Sequence, residues 1–374
     1  MPDQHHQGTL IHGDNLAVLR ALPLQGQVRA VYIDPPYNTG ETKRTGGHSY
    51  NDARQDWVGF IGPRLEALAH TLTPDGSLFI QLDDNELDRT KLELDRIFGP
   101  SGFIARITVE ARAPSAFSTV NRGLFKASEY LLWYCRDRDA FRWNPLRIPR
   151  APDPAYRMWL LNPSEPPQAW RFGRLSEAAK GPLDRFQVDN AERVCRLASI
   201  SDTKAGKATL AAKQASRAQP DRVFVVERWG LDPQYVLRGQ QLLFYDRQVR
   251  EIDGTRCASR PLTNIWTDIR WEGIAREGGV RFKQGKKPER LLRRVLQLAT
   301  EPGDLVLDAF AGSGTTAAVA HKMGRRWVAI EAGEQVHLAA ERLQRVVDGQ
   351  DPTGITKVEG FEGGGSFEFR CPSS

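Results

Sequence analysis

The chain has 374 residues, with 52 Lys and Arg against 46 Asp and Glu, a formal net charge of +6; that length holds two domains, or one large domain with an insertion, and the charge permits nucleic-acid binding without requiring it. No stretch approaches the roughly eighteen apolar residues of a membrane span, and the first seven residues carry no apolar signal region, so the expected location is cytoplasmic with no membrane partner. Cys135, Cys195, Cys257 and Cys371 are scattered without Cys-x-x-Cys spacing, and the seven histidines form no His-x-x-x-His pair, so reduced thiols and no metal are expected.

Thr9 to Asp14 reads as a short strand ending at a carboxylate, and Asn15 to Leu22 as a helix with Leu16, Ala17 and Leu19 on or near one face. Pro23 to Gln27 breaks it, and Val28 to Ile33 is the next strand. Strand, helix, strand is the signature of a parallel α/β sheet. The apolar run Val31-Tyr32-Ile33 stops at Asp34, two prolines then forbid both helix and ladder pairing, and Tyr37 follows. A carboxylate at a strand's C-terminal end, a rigid turn and an aromatic ring make a small site suited to a flat, nitrogen-bearing substrate. Asn38 to Gln55 is a long polar loop, either a lid or a connector. Asp56 to Leu72 is helical, Pro74-Asp75-Gly76 a turn, and Ser77 to Leu82 a third strand. Asp84 or Asn85 suits the N-cap of a helix running to Phe98. Phe103 to Val109 and Glu129 to Cys135 are β-prone and pair as a hairpin at the sheet edge.

From about Asp139 the texture changes. Prolines crowd between Pro145 and Pro167, and Lys204, Lys207, Lys213, Arg217 and Arg222 follow in an alanine-rich stretch. Residues 140–265 read as an inserted domain, basic and irregular, with short β-like pieces at 223–226 and 241–245. The α/β pattern then returns with the amphipathic helix Lys287 to Ala299, the strand Asp304 to Asp308, a helix from Ser313 to Met323, the strand Arg326 to Glu331 and a last helix through Leu343. Ser366 to Arg370 alternates like one more strand. The expected division is 1–139, a catalytic half; 140–265, the insertion; 266–348, a ligand-binding half; and 349–374, a tail.

Leu305 to Thr316 is a strand, a glycine turn and a helix start. Gly312 and Gly314 admit close backbone approach, and the helix start points N–H groups at a ligand. Glu331 stands nineteen residues after Gly312 at the end of the next strand, where a carboxylate accepts hydrogen bonds from both hydroxyls of a ribose. With Ala317 in the third small position the stretch also satisfies the dinucleotide fingerprint, so a nicotinamide oxidoreductase is the competing reading. Against it, Asp308 and Phe310 precede the glycines, where a cationic aminoacyl group fits and a pyrophosphate is repelled. Nicotinamide folds also give no reason for Asp34-Pro35-Pro36-Tyr37.

Jointly, Asp34-Pro35-Pro36-Tyr37 and Asp308-Ala-Phe-Ala-Gly-Ser-Gly314 resemble the amino-methylating DNA methyltransferases that use S-adenosylmethionine. The order, catalytic tetrapeptide first and cofactor glycines last around an insertion, is that of the β class. Asp34 to Gly40, Leu82 to Glu86, Trp266-Thr-Asp-Ile269 and Gly285-Lys-Lys-Pro-Glu289 further resemble the modification subunits of type III restriction–modification systems. The chain is considerably shorter than a typical one, chiefly in the insertion, and a solitary methyltransferase or a subunit of another defence system is equally consistent.

The resemblance implies a Rossmann-like, S-adenosylmethionine-dependent methyltransferase sheet, circularly ordered, with an inserted target-recognition domain. It implies methylation of adenine N6 in duplex DNA, with cytosine N4, or else RNA or a protein amide, as alternatives. Asp34 and the Pro35 carbonyl, on the turn that Pro36 stiffens, would accept the two amino N–H groups, and Tyr37 would stack on the flipped base. Asp14 is assigned to the cofactor's adenine and Glu331 to its ribose. Asp308, Phe310, Gly312, Gly314 and Thr315 are assigned to the methionine and ribose portion, and Lys287 to the cofactor's carboxylate; a solvated helix start is the alternative for Lys286 and Lys287. No Pro-Cys dipeptide exists, which excludes a cytosine-C5 enzyme, whose thiolate attacks the ring. In the insertion Lys204, Lys207, Lys213, Arg217 and Arg222 would contact phosphates, while Arg171, Arg174 and Arg238 could reach guanine edges. Expected partners are double-stranded DNA, a second copy of the chain and a restriction subunit on another chain, because no helicase or nuclease motif is present here.

Overall fold

In a computed structural model of the chain, the described residues are 6–38, 42–45, 48–51, 55–112, 124–269, 271, 273–281 and 285–371. The chain divides into two compact units, Met1–Leu146 with Thr263–Ser374, and Arg147–Leu262.

The first unit is built on a nine-stranded sheet. From one edge to the other its strands are Ile265–Trp266, Phe103–Glu110, Ser128–Cys135, Leu72–Leu82, Val28–Ile33, Leu305–Asp308, Arg326–Glu331, His6–His12 and Ser366–Arg370. Ser128–Cys135 runs antiparallel to both neighbours, and the other neighbouring pairs are parallel. Parallel strands covered on both faces read as unbroken apolar runs. Val28, Ala30, Val31, Tyr32 and Ile33 are accordingly buried, as is all of Leu305–Asp308. These two strands, almost three hundred residues apart in the chain, are direct neighbours. Parallel strands end on the same side, so Asp34, Asp308 and Glu331 all arrive at one edge of the sheet, the position where open α/β sheets bind ligands.

The helix Trp57–Thr71 starts at Asp56, whose Oδ1 accepts the Gly59 N–H at 2.8 Å. Trp57, Ile61, Leu65 and Leu68 form its inward stripe and pack with Leu78, Ile80 and Leu132 of the sheet. Each such side chain contributes about 1.5–3 kcal/mol of burial. The helix Glu289–Ala299 buries Leu291, Leu292, Val295 and Leu296. Among the described residues no helix is long and apolar enough to cross a membrane.

Three local expectations are corrected and one is met. Pro74-Asp75-Gly76 does not end the helix before a separate strand: Leu72–Leu82 is one strand whose register jumps, Leu72 facing Val28 and Ser77 facing Ala30, with the turn residues bulged between. Neither Asp84 nor Asn85 caps the next helix, Leu87–Phe98. Asp83 takes both the backbone and the side-chain N–H of Asn85 at 2.9 Å, and this local turn uses the residues before the helix. The segment 38–55 contains an antiparallel hairpin, Thr42–Thr45 with His48–Asn51, and much of the rest of that expected loop lies outside the described residues. The strand at 366–370 forms, and pairs in parallel with His6–His12 at the sheet edge.

The second unit is not irregular. It holds a six-stranded antiparallel sheet in the order 172–174, 158–160, 194–198, 240–244, 231–237, 224–228, and a three-stranded sheet in the order 249–252, 255–261, 147–149. Its own core gathers Tyr156, Trp159, Leu175, Val194 and Tyr245. The helix Lys207–Ala218 buries Thr209, Ala212, Lys213 and Ser216, a stripe at helical spacing. Lys213 is therefore corrected: it is 6% exposed, and two of its three ammonium protons go to the Ile200 carbonyl at 2.8 Å and Asp202 at 2.6 Å, which holds it inward and away from a phosphate at the surface. Lys204, Lys207, Arg217 and Arg222 are exposed.

Candidate active site

At the C-terminal edge of the parallel strands lies a cavity of about 820 Å³ within the first unit, lined by residues 14–15, 32–37, 60, 64, 285–292 and 308–335 in part. It brings together Asp14, Asp34, Pro35, Pro36, Tyr37, Lys287, Asp308, Phe310, Gly312, Thr315 and Glu331. Gly314 is not among the lining residues: it takes φ +72°, and a Cβ there would stand 3.0 Å from the Ala339 Cβ. Its freedom serves the turn and the packing of the helix beneath, while Gly312, at φ +50°, faces the cavity.

The glycine turn is held from both sides. Asp308, 3% exposed, accepts the Phe310 N–H at 2.9 Å and the Thr316 hydroxyl at 2.5 Å. Burial pushes its carboxyl up to about 7 against the pull of those two donors, with the negative charges of Asp34 and Glu331 adding to the rise. Glu331 accepts the Gly312 N–H at 2.7 Å, the Gly333 N–H at 2.8 Å and the Gln335 amide at 2.7 Å. The Ala332 N–H also points at it, so its roughly four acceptor positions are taken and a ligand hydroxyl has to replace the Gln335 amide. Burial raises the Glu331 carboxyl too. Asp14 caps the helix Asn15–Ala21 through the Ala17 N–H and pairs with Arg64 at 3.0 Å, while Arg64 also reaches Asn15 at 2.6 Å. Phe310 and Phe60 meet edge to face, 6.2 Å between centroids. Thr315 is tied to Arg342 at 2.7 Å.

At the other end, Tyr37 is 7% exposed and its hydroxyl turns inward, 2.8 Å from Asp34 Oδ1 and 2.9 Å from Glu129 Oε2. Asn38 follows at φ +57°, a left-handed conformation, with its amide on Glu86, itself 2% exposed. That bond gives the acidic 83–86 stretch a role the sequence did not disclose: it pins the turn after Tyr37. Lys287 Nζ lies 2.7 Å from the Tyr37 hydroxyl, 2.9 Å from Glu129 Oε2 and 3.2 Å from Asp34 Oδ1. Lys286 is equally buried, its ammonium among the carbonyls of Ala275, Glu277 and Val280, and burial lowers it to about 8. The solvated helix start is thus excluded for both lysines. Glu129 went unrecognised as a site residue; Gln81 donates to it and Tyr32 donates to Gln81 at 2.6 Å. The one available signal was an acid beginning an otherwise apolar strand, Glu129-Tyr-Leu-Leu-Trp133.

Among the described residues, five carboxylates line the cavity, those of Asp14, Asp34, Asp308, Glu331 and Glu334, against two cations, Arg64 and Lys287, each already paired with one of them. Such a chamber accepts a cationic ligand and repels a pyrophosphate.

A family model described as DNA methylase matches residues 28–342. The Probable type III restriction-modification enzyme HindVI Mod subunit of Haemophilus influenzae is 29% identical, over 98% of this chain and 54% of its own length. The type III restriction-modification enzyme StyLTI Mod subunit of Salmonella typhimurium is 26% identical over 84% of this chain and 50% of its own. The type II methyltransferase M.EcaI of Enterobacter cloacae is 26% identical over 92% and 71%. The chain thus spans about half the length of the type III subunits it matches. Among solved structures, the complex of M1.HpyAVI with SAM aligns at TM-score 0.43 and 14% identity over 90% of this chain and 98% of that one.

Proposed function

Because the chain belongs to the DNA methylase family, whose model spans residues 28–342, we propose that it transfers a methyl group from S-adenosylmethionine to an exocyclic amino group in duplex DNA, the N6 of adenine. The observation that carries this reading is the meeting of Asp34-Pro35-Pro36-Tyr37 with the Gly312 turn and Glu331 around one carboxylate-lined cavity. S-adenosylmethionine fits that donor set, being a cation with a ribose and an adenine, and when bound it supplies an electrophilic methyl group on sulfur.

The residues of the chain do the rest. Glu331 accepts a ribose hydroxyl in place of the Gln335 amide. The Gly312 backbone lies close enough to touch a ligand because no Cβ intervenes. Asp14 bounds the chamber where the adenine is assigned, Phe310 lines the methionine and ribose portion, and Asp308 contributes negative potential beneath the cationic portion. The adenine amino nitrogen is a poor nucleophile because its lone pair is delocalised into the ring. Asp34 and the Pro35 carbonyl each accept one of its N–H groups, which favours a tetrahedral nitrogen with its lone pair aimed at the methyl group. As the nitrogen becomes cationic, the Asp34 carboxylate stabilises the developing charge and holds the departing proton. Tyr37, its hydroxyl anchored by Asp34 and Glu129, lines the cavity as the ring on which the base stacks. The base has to leave the duplex to arrive there.

The unit Arg147–Leu262 is the proposed target-recognition domain. It carries twenty Lys and Arg against thirteen Asp and Glu, net +7, while the remainder of the chain is −1. Lys204, Lys207, Arg217 and Arg222 contact phosphates. A restriction subunit on another chain is the proposed partner, by analogy with the type III Mod subunits, and the expected setting is cytoplasmic.

The test is modification-sensitive sequencing of DNA from cells expressing the parent chain or Asp34→Ala, with labelled methyl offered in vitro to duplex DNA, RNA and protein together. Methylated adenine in one sequence context, absent with Asp34→Ala, is the expected result. Equal transfer by the variant sinks the mechanism; methyl on cytosine N4, on RNA or on protein reassigns the substrate.

A further inference from the structure

We propose that Lys287 and Glu129 are positioning residues for this transfer: Lys287 is the counter-ion that holds Asp34 ionised with Oδ1 occupied and Oδ2 left for the amino group, and Glu129 anchors Lys287. The inference rests on the methyltransferase reading and replaces the expected role of Lys287 on the cofactor's carboxylate.

The geometry leaves little alternative. An ammonium has three protons, and Lys287 has three acceptors within reach: the Tyr37 oxygen at 2.7 Å, Glu129 Oε2 at 2.9 Å and Asp34 Oδ1 at 3.2 Å. All of its protons are spent, so none points at a cofactor carboxylate. Having accepted from Lys287, Tyr37 gives its single proton to Asp34 or to Glu129. Both contacts to Asp34 fall on Oδ1. The Lys287 side chain is 7% exposed, as is that of Glu129, and a buried ammonium persists only where it is paired.

Among the described residues, the groups that act on Asp34 come from several segments. Tyr32 stands on its own strand and Tyr37 on its own turn, Glu129 on the antiparallel strand, Lys287 before the helix Glu289–Ala299, and Asp308 on the other neighbour, while Gln81 and Asp83 at the end of the adjoining strand act on Glu129. Lys287 is the cation among them. Burial raises the Asp34 carboxyl, Lys287 pulls it back and Glu129 raises it again. Burial lowers Lys287, but Asp34 and Glu129 more than reverse that. Glu129 is held low overall, since Lys287, Gln81 and Tyr37 outweigh its burial.

The experiment uses the full chain and four forms: parent, Lys287→Met, Glu129→Gln and the double variant, which keeps the cluster's net charge. Single-turnover methyl transfer to duplex DNA is followed against pH, with S-adenosylmethionine binding measured in parallel by calorimetry. Lys287→Met is expected to move the acidic limb up by about one pH unit or more, a tenfold loss below it. Glu129→Gln moves it down, the double variant returns it near the parent, and cofactor affinity stays within about threefold of the parent. Losses at every pH with an unmoved limb would make the cluster mere framework, and a tenfold drop in cofactor affinity for Lys287→Met with an unmoved limb would return Lys287 to the cofactor; either overturns the proposal. Should Lys287→Met fail to fold, the double variant beside Glu129→Gln still reads the compensation: equal limbs in those two refute it. The carboxyl ¹³C titration of Asp34, identified by its loss in Asp34→Asn, needs no methyl transfer. A parent that methylates nothing therefore defeats the functional reading, whereas an Asp34 titration indifferent to Lys287 defeats this one.

Discussion

Replacing Asp308 by Asn removes a charge that the fold holds at a cost. The carboxyl titrates at about 7 instead of 3.8 because it is buried beside Asp34 and Glu331. A raised acid pKa means that the folded chain binds its proton more tightly than the unfolded chain. The stabilisation that proton brings is fully present below the unfolded value and disappears as pH rises through the folded one. A rise of that size corresponds to about 4 kcal/mol lost between pH 4 and pH 8. In Asp308→Asn the new side chain can keep both contacts, its oxygen accepting the Phe310 N–H and its amide donating to the Thr316 hydroxyl, which can serve as either partner. The variant should therefore match the parent only below about pH 4 and gain on it by about 1.4 kcal/mol per pH unit from there up to pH 7, read by urea unfolding at a series of pH values. The cofactor supplies the converse measurement. A bound cation lowers the Asp308 pKa, so parent affinity for S-adenosylmethionine should tighten from pH 6 to pH 8 with proton release, and the variant's should be weaker and flat. A stability difference independent of pH would refute the buried-charge argument, and unchanged proton release in calorimetry of Asp308→Asn would detach the charge from the cofactor.

Three further changes separate framework from function. Gly314→Ala forces a left-handed φ on an alanine and brings its Cβ 3.0 Å from that of Ala339; unfolding should show a loss of about 1–3 kcal/mol, and no loss would mean that the turn relaxes freely. Lys322→Met breaks a wholly buried pair of ion bridges, Glu289 at 2.9 Å and Asp351 at 2.6 Å, and leaves Asp351 without its cation while Glu289 keeps Arg342 at 2.7 Å; the expected cost is about 3–5 kcal/mol, checked by the same unfolding measurement, and a neutral result would show that water reaches Asp351. Lys207→Ala should reduce the salt slope of DNA binding by about one without changing stability, whereas Lys213→Ala should lower stability and leave the slope alone. The opposite pattern would reverse their assignments.

Much of the site was legible because its parts are local. Asp34 stands at the end of a central strand because the apolar run stops there and two prolines follow. Asp308, Gly312 and Glu331 fall into place because strand, glycine turn and helix are each encoded within a few residues. The insertion is harder to read. Its short strands alternate too briefly between prolines to show a period, although Asp253-Gly254, both at positive φ, is a hairpin signal that the crowded arginines obscure. Lys213 passes for a surface cation until its helix is counted: Thr209, Ala212, Lys213 and Ser216 mark the inward face.

Chain order alone determined the parallel sheet, the two motifs at its ends and the composition that sets a basic insertion apart from a nearly neutral remainder. The tertiary structure alone decided what the lone charges do. Lys287 stands in the recognisable Gly285-Lys286-Lys287-Pro288 segment, but nothing beside it in sequence names the group it pairs with, and Glu129 looks like any acid at a strand start. Sheet order places the antiparallel strand Ser128–Cys135 beside Leu72–Leu82 and so next but one to Val28–Ile33. That brings Glu129, Gln81, Tyr37 and Asp34 around one buried ammonium. The meaning of a charge depends on what lies within about 4 Å and on how much water is left there. Both are properties of packing, and a sequence does not display them.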